Sequence, residues 1–208
     1  MKKKYFPLLL SFVMLFATMG TQAYAKTPFT AEANSANTQA AQINKAYAKC
    51  LEVQKTNTII KSYKNGETTL TAEEIAAIKE KYVGYLEEAF NEINKPENEF
   101  YINYLLKTSG LLPASVSAVA SNIIEVAKLN ISTEEKIELL MAINIDCNNT
   151  LSVFVNCLIL GILFLVTAAG FGFAGIIPNI VLISQILANL NFIIALIASA
   201  LYPFFCLF

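Results

Sequence analysis

Two patterns of apolar residues divide the chain. Between residues 37 and 146, apolar residues recur every three or four positions among polar ones, which is the period of an amphipathic helix. From residue 147 to residue 208 there is no Asp, Glu, Lys, Arg or His, and apolar residues occupy most positions. Uncharged apolar runs of about 18 residues or more are typical of bilayer spans. The pattern therefore predicts amphipathic helices followed by a membrane-spanning segment.

Start and stop signals separate the helices of the first region. Thr71 and Glu74 have the spacing of a capping box, in which each side chain accepts a backbone N–H at the start of a helix. Ser132 and Glu135 repeat this spacing. Gly66 is the residue type that closes a helix in the left-handed conformation. We therefore predict an all-α fold, with four or five amphipathic helices in a small helical bundle and no strands.

The uncharged segment has room for two spans, one over about 151–177 and one over about 180–204. Pro178 and Asn179 separate them, and both this pair and the Gly-rich stretch 168–175 can form the turn of a helical hairpin. At 100° per residue, the polar side chains of each span fall on one face. This polar face comprises Asn156 and Thr167 in the first span and Ser184, Gln185, Asn189, Asn191 and Ser199 in the second.

The polar faces have two interpretations. In the first, the two faces pack on each other within one hairpin, and their amides and hydroxyls hydrogen-bond across the contact. In the second, several hairpins self-associate in the membrane with their polar faces inward, and uncharged amides line a pore without the cost of a buried charge. The sequence is compatible with both.

The N-terminus has the three parts of a Sec signal peptide. Lys2 begins a run of three lysines, an apolar core follows over 6–17, and Ala23 and Ala25 give a small-x-small cleavage site. We expect export through Sec and cleavage by signal peptidase between Ala25 and Lys26. The alternative is an uncleaved N-terminal anchor.

Four segments result from this division. They are a signal peptide at 1–25, a flexible mature N-terminus at 26–36, an acidic helical pro-region or extracytoplasmic domain at 37–146, and an uncharged, membrane-inserting hairpin at 147–208. Such a chain is exported across the cytoplasmic membrane and is then secreted or associated with the membrane on its outer side. Residues 26–146 hold twelve lysines and sixteen acids, a net charge of −4. No basic patch is present, which excludes nucleic acid as a partner.

Catalytic chemistry has no support in the composition. The chain has no His, which removes the commonest general base and the Ser or Cys triads that use it. No phosphate-binding or dinucleotide-binding glycine motif is present. Without His and without Cys-x-x-Cys, zinc has no ligand set. We expect no enzyme activity, no cofactor and no metal.

The four cysteines allow three pairings in an oxidising compartment. A hairpin that turns near Pro178 places Cys206 nearer to Cys147 than to Cys157, so a disulfide can close the base of the hairpin. The rival is a local Cys147–Cys157 loop, which requires that this stretch not be a regular helix. Cys50 is expected to be a buried thiol unless it takes the remaining partner.

A signal peptide, an acidic helical middle and a terminal hydrophobic segment with Cys147, Cys157 and Cys206 together resemble the sporulation-delaying-protein class of toxin precursors. The resemblance implies Sec export, disulfide formation and proteolytic release of a hydrophobic peptide. It also implies that the peptide collapses the proton-motive force of neighbouring bacteria while the producer keeps a cognate immunity protein. The cysteine pair of that family is closely spaced, whereas nine residues separate Cys147 from Cys157 here.

Two functions follow. The first is an exported precursor of a bacteriocin-like antibacterial peptide, in which 147–208 inserts into the lipid bilayer and depolarises it. The second is a membrane-anchored extracytoplasmic helical protein, serving in interaction or immunity, with an uncut C-terminal hairpin. With no Lys or Arg in 147–208, the segment lacks the positive-inside signal that fixes the topology of a resident membrane protein. This absence favours the first function.

Overall fold

Helices account for the regular structure throughout the part of the chain that the structure describes. This computed structural model describes residues 30–107, 112–143, 145, 147–174 and 178–206. In chain order the helices are α1 (Thr30–Lys64), α2 (Ala72–Ile93), α3 (Glu99–Lys107, preceded by a 3-10 turn at Pro96–Asn98), α4 (Ala114–Ala127), α5 (Thr133–Ala142), α6 (Cys147–Ala174) and α7 (Pro178–Cys206). The predicted all-α class and the two apolar C-terminal helices are confirmed.

Both predicted capping boxes are present. The Thr71 hydroxyl accepts the backbone N–H of Glu74 at 3.2 Å, and the Glu74 carboxylate accepts that of Thr71 at 2.8 Å. Ser132 and Glu135 make the same two bonds, at 3.2 and 2.9 Å. Each pair satisfies N–H groups that have no partner within the helix. The boxes therefore fix where α2 and α5 begin.

Helix α1 ends as its glycine predicts. Gly66 has a φ of 73°, a conformation that costs residues with a Cβ but not glycine. The N–H of Gly66 bonds to the Tyr63 carbonyl at 3.0 Å, and the N–H of Glu67 bonds to the Ser62 carbonyl at 2.8 Å. These two bonds form a Schellman motif. The chain can therefore reverse direction between α1 and α2.

The start of α1 corrects one expectation. The sequence predicts helix from about residue 37, but the helix begins at Thr30, inside the segment 26–36 that was expected to be flexible. Three of these seven residues are Ala and one is Glu, and both are strong helix formers. Residues 26–29 lie outside the described part of the chain. So do the signal peptide and its predicted cleavage site at Ala23, Ala25 and Lys26.

The hairpin boundaries correct a second expectation. Helix α6 ends at Ala174 and α7 begins at Pro178, so Pro178 and Asn179 belong to the first turn of α7 and not to the turn between the helices. Proline suits the first position of a helix because its φ is already helical and its missing N–H would have no helical partner there. The connection, 175–177, lies outside the described residues.

Helix α7 runs through the middle of the bundle. It contacts each of the other six helices, most extensively α6, α1 and α2. Its buried residues belong to the same apolar core as those of α1, α2, α4, α5 and α6. The hairpin therefore packs within the bundle, and the chain boundary between residues 146 and 147 does not separate two packed units.

Candidate functional site in the uncharged hairpin

The inner helix of the hairpin, α7, is enclosed on all sides along residues 187–201. Every residue from Leu187 to Leu201 is buried. A helix that is apolar around its whole circumference needs such an environment, either a protein core or a bilayer. Both α6 and α7 are long and apolar enough to cross a membrane, over Cys147–Gly172 and Val181–Phe205. In this fold the surrounding helices occupy the place that lipid would take around α7.

The outer helix, α6, is only partly covered. It packs on α7 and α4 with one face, and its opposite face leaves apolar side chains open to solvent. These exposed residues recur every three or four positions and form one stripe, here called the outer stripe: Leu151, Val155, Ile159, Leu163 and Val166. An exposed apolar surface of this length marks a site of membrane or protein contact.

Gly161 and Phe192 set the closest approach of the two hairpin helices. A Cβ atom at Gly161 would lie 2.6 Å from the Cε1 atom of the Phe192 ring, closer than non-bonded carbon atoms tolerate. The same ring lies 5.4 Å from that of Tyr47 on α1, measured between centroids. Phe192 therefore fills the space among α1, α6 and α7.

The predicted polar residues of α7 are all buried. They are Ser184, Gln185, Asn189, Asn191 and Ser199. The Asn191 amide donates to the Leu187 carbonyl of its own helix at 2.8 Å, and Ser199 bonds to α1. The Oε1 atom of Gln185 is buried without a hydrogen-bond partner, which is costly in a protein interior.

The polar residues of α6 do not face the polar residues of α7. Asn156 donates to the Ser152 carbonyl at 2.8 Å and Thr167 to the Leu163 carbonyl at 2.9 Å, so both bond within their own helix. Thr167 is exposed and Asn156 is only half-buried. The two polar faces therefore do not pack on each other, because α6 turns Gly161 and large apolar residues toward α7.

The polar partner of α7 is α1. The Asn57 side-chain amide donates to the Ser199 backbone carbonyl at 2.8 Å and to the Ser199 hydroxyl at 3.0 Å. The Tyr82 hydroxyl, from α2, hydrogen-bonds to Asn57 Oδ1 and to the Val53 carbonyl, both at 3.1 Å. Burial raises the pKa of Tyr82, so its hydroxyl keeps the proton it donates.

Sequence reasoning missed Asn57, although a signal was present. Cys50, Val53 and Ile60 of α1 are buried, with spacings of three and seven residues. Asn57 falls between them on the same face. An amide within an apolar stripe indicates a buried hydrogen-bond partner, but nothing in the sequence shows that the partner is Ser199.

Ion pairs join α1 to α2 on the outside of the bundle. Lys49 pairs with Glu88, and Lys81 pairs with Glu52. The Tyr85 hydroxyl also donates to Glu52 at 2.6 Å. Hydrogen bonds from Lys81 and Tyr85 lower the pKa of Glu52, and the one from Lys49 lowers that of Glu88. The helices that cover α7 thus present a charged surface to water.

Lys136 joins α5 to the C-terminal end of α4. The Lys136 ammonium donates to the Ala127 carbonyl at 2.9 Å and lies 5.3 Å from the centroid of the Phe90 ring. The Asn94 amide donates to the same carbonyl at 2.8 Å. Burial lowers the pKa of Lys136. The C-terminal end of α4, where carbonyls lack helical partners, accounts for this arrangement.

The cysteines do not all share one environment. Cys50 and Cys157 carry free, buried thiols, and the Cys50 thiol lies 3.3 Å from the Phe192 carbonyl. Burial raises the pKa of Cys50 to about 12. Cys147 and Cys157 lie on one continuous helix and are separated by a rise of about 15 Å, too far for a disulfide. The local Cys147–Cys157 loop is therefore not formed.

Neither metal ligation nor similarity supplies a function. Among the described residues, no group of three or more His, Cys, Asp or Glu side chains is placed to hold a metal ion. No family model, no curated protein and no solved structure matches the chain. The arrangement of the hairpin within its covering helices is therefore the feature from which a function can be inferred.

Proposed function

We propose that the chain is the exported precursor of a bacteriocin-like antibacterial peptide. Residues 147–208 form the active part, which inserts into bacterial membranes and depolarises them. Residues 26–146 keep this part soluble until it is released. The N-terminal segment directs the chain to Sec and signal peptidase, and the producer needs an immunity protein against the released peptide.

The burial of α7 carries this proposal. The helix is as apolar as a bilayer span, yet α1 and α2 enclose it and turn their ion pairs to solvent. Enclosure of this kind lets a membrane-inserting helix pass through water, because the apolar area that lipid would cover is covered by protein. An anchor that stays in the membrane has no need of such a cover.

The outer stripe supports a bilayer as the target. The stripe lies within the candidate span Cys147–Gly172, whose 26 residues rise about 39 Å, enough to cross the hydrocarbon layer of a membrane. No charged residue lies on α6 or α7, so insertion carries no cost of burying a charge. Both helices can therefore enter lipid without rearranging their own backbone hydrogen bonds.

A Cys147–Cys206 disulfide is part of the proposed peptide. Gly161 and Phe192 are in contact, Cys147 precedes Gly161 by fourteen residues, and Cys206 follows Phe192 by fourteen residues. Because antiparallel helices have the same rise, this register supports the pairing of Cys147 with Cys206. Cys147 carries no free thiol, and the thiols of Cys50 and Cys157 are free. Forming the bond removes two protons and two electrons, which an exported thiol–disulfide oxidoreductase accepts.

Intact-mass spectrometry of the medium and the membrane fraction, with and without reductant, tests the proposal. We expect a fragment from near Cys147 to Phe208 that gains the mass of two hydrogen atoms on reduction. The purified fragment should then collapse a potassium diffusion potential across lipid vesicles. If only uncut 26–208 occurs, and only in the membrane fraction, the anchored helical module replaces this proposal.

A further inference from the structure

Helices α1 and α7 run parallel in a fixed register. The Cys50 thiol bonds to the Phe192 carbonyl, and Asn57 bonds to Ser199. Each pair is separated by 142 residues in sequence, so a step of seven residues along α1 matches a step of seven along α7. Seven residues make two helical turns. The contact therefore extends over at least two turns of both helices and does not depend on one crossing point.

Tyr82 selects the orientation of the Asn57 amide. The Tyr82 hydroxyl hydrogen-bonds to Asn57 Oδ1, which leaves the NH₂ group of Asn57 to donate to Ser199. Tyr82 is fully buried against α1. The polar contact with α7 thus involves two other helices, α1 through Asn57 and α2 through Tyr82.

Cleavage near Cys147 breaks none of these contacts. The core that holds α7 is formed by residues on both sides of such a cut, and the only covalent link lost is one peptide bond. Cutting the loop removes the entropic advantage of the covalent link, but it leaves the apolar area that α7 buries unchanged. Cleavage alone therefore leaves the hairpin bound.

We propose that the helices of residues 30–143 form a binding site for the uncharged helix α7 of the same chain, with Asn57 as its specificity residue, and that this site retains the hairpin after cleavage. A lipid bilayer, and not the protease, then removes the hairpin. The inference rests on the proposed function only in assuming that the chain is cut near Cys147. It adds that the covering region neutralises the active part after the cut.

The test uses mature 26–208 with a single protease site inserted after Ile143. After complete cutting in aqueous buffer, we expect one species of the uncut mass by size-exclusion chromatography with light scattering. Addition of phosphatidylcholine–phosphatidylglycerol vesicles should move the C-terminal fragment into the floating lipid fraction and leave the N-terminal fragment behind. Separation or aggregation of the fragments without lipid would overturn the inference.

Asn57→Ala tests the specificity residue. We expect it to speed transfer to vesicles by about 3- to 15-fold, the effect of one or two lost hydrogen bonds. Thr58→Ala is the matched control, since Thr58 is exposed and, among the described residues, its hydroxyl donates to the Gln54 carbonyl of its own helix. Equal transfer rates for the two variants would remove Asn57 from the proposal. Ser199→Ala, which keeps the bond to the Ser199 carbonyl, gives a milder variant if Asn57→Ala does not fold.

Depolarisation is measured separately on the same vesicles. A retained hairpin that does not depolarise after transfer contradicts the proposed function and leaves the binding site standing. Fragments that separate in buffer and then depolarise vesicles contradict the binding site and leave the proposed function standing.

Discussion

Helices α6 and α7 have nearly the same composition and different surroundings. In the most apolar stretch of α7, 83% of the residues are buried inside the protein, against 33% in α6. Both helices lack charges. The difference arises because α1 and α2 pack extensively on α7 and not on α6. Helix α6 covers one side of α7 and leaves its own outer stripe exposed. Helix α7 is buried inside the protein, and helix α6 exposes one apolar face.

The largest effect should come from a charge placed on each helix. Leu190→Lys puts an ammonium at a buried position of α7, which should cost more than about 5 kcal/mol and prevent folding. Leu163→Lys puts the same charge on the outer stripe, where the free energy of unfolding should change by about 0.5 kcal/mol or less. Circular dichroism shows whether each variant folds, and urea titration measures its free energy of unfolding. Equal destabilisation would contradict the distinction between the two helices.

Two phenylalanines give a matched pair without a charge. Phe192 on α7 is 0% exposed and Phe171 on α6 is 37% exposed. Phe192→Ala should lower the free energy of unfolding by about 3–5 kcal/mol, because it leaves a cavity among three helices. Phe171→Ala should lower it by about 1 kcal/mol or less. The midpoints of chemical unfolding, compared at the same slope, rank the two variants by stability. A larger loss of stability for Phe171→Ala than for Phe192→Ala would contradict the assignment of α7 as the buried helix.

The smallest effect concerns the charged cover and pH. The folded state lowers the pKa of Glu52 and Glu88 below the ordinary value of 4.5. Their contribution to stability is therefore complete above pH 4.5 and is lost as the pH falls through the lowered values. Since both side chains are about half exposed, the loss should be small.

The double variant Glu52→Gln, Glu88→Gln tests this contribution. It should unfold with a smaller decrease in midpoint between pH 7 and pH 3 than the unchanged chain, measured by thermal melts. Glu73→Gln with Glu87→Gln is the control, since both carboxylates are exposed. Identical pH profiles for the two double variants would show that the ion pairs between α1 and α2 contribute nothing in acid.

Local signals in the sequence predicted the local structure. The capping boxes at Thr71 and Ser132 and the glycine at position 66 were predictable because their partners lie within a few residues. The turn at Pro178 was misplaced, since proline suits both a turn and the first position of a helix. Periodicity also showed which polar residues share a face of α7, but not what that face contacts.

The sequence by itself determined the all-α class, the starts of α2 and α5, the end of α1, and the absence of charge from the last two helices. Only the tertiary structure decided that α7 is enclosed, that Asn57 and Tyr82 meet Ser199, and that Asn156 and Thr167 turn away from the hairpin contact. The physical reason is that the hydrophobic effect is non-directional and roughly proportional to area. Two helices of equal composition gain equally from burial, so the shapes and hydrogen-bonding groups of their neighbours decide which one is covered.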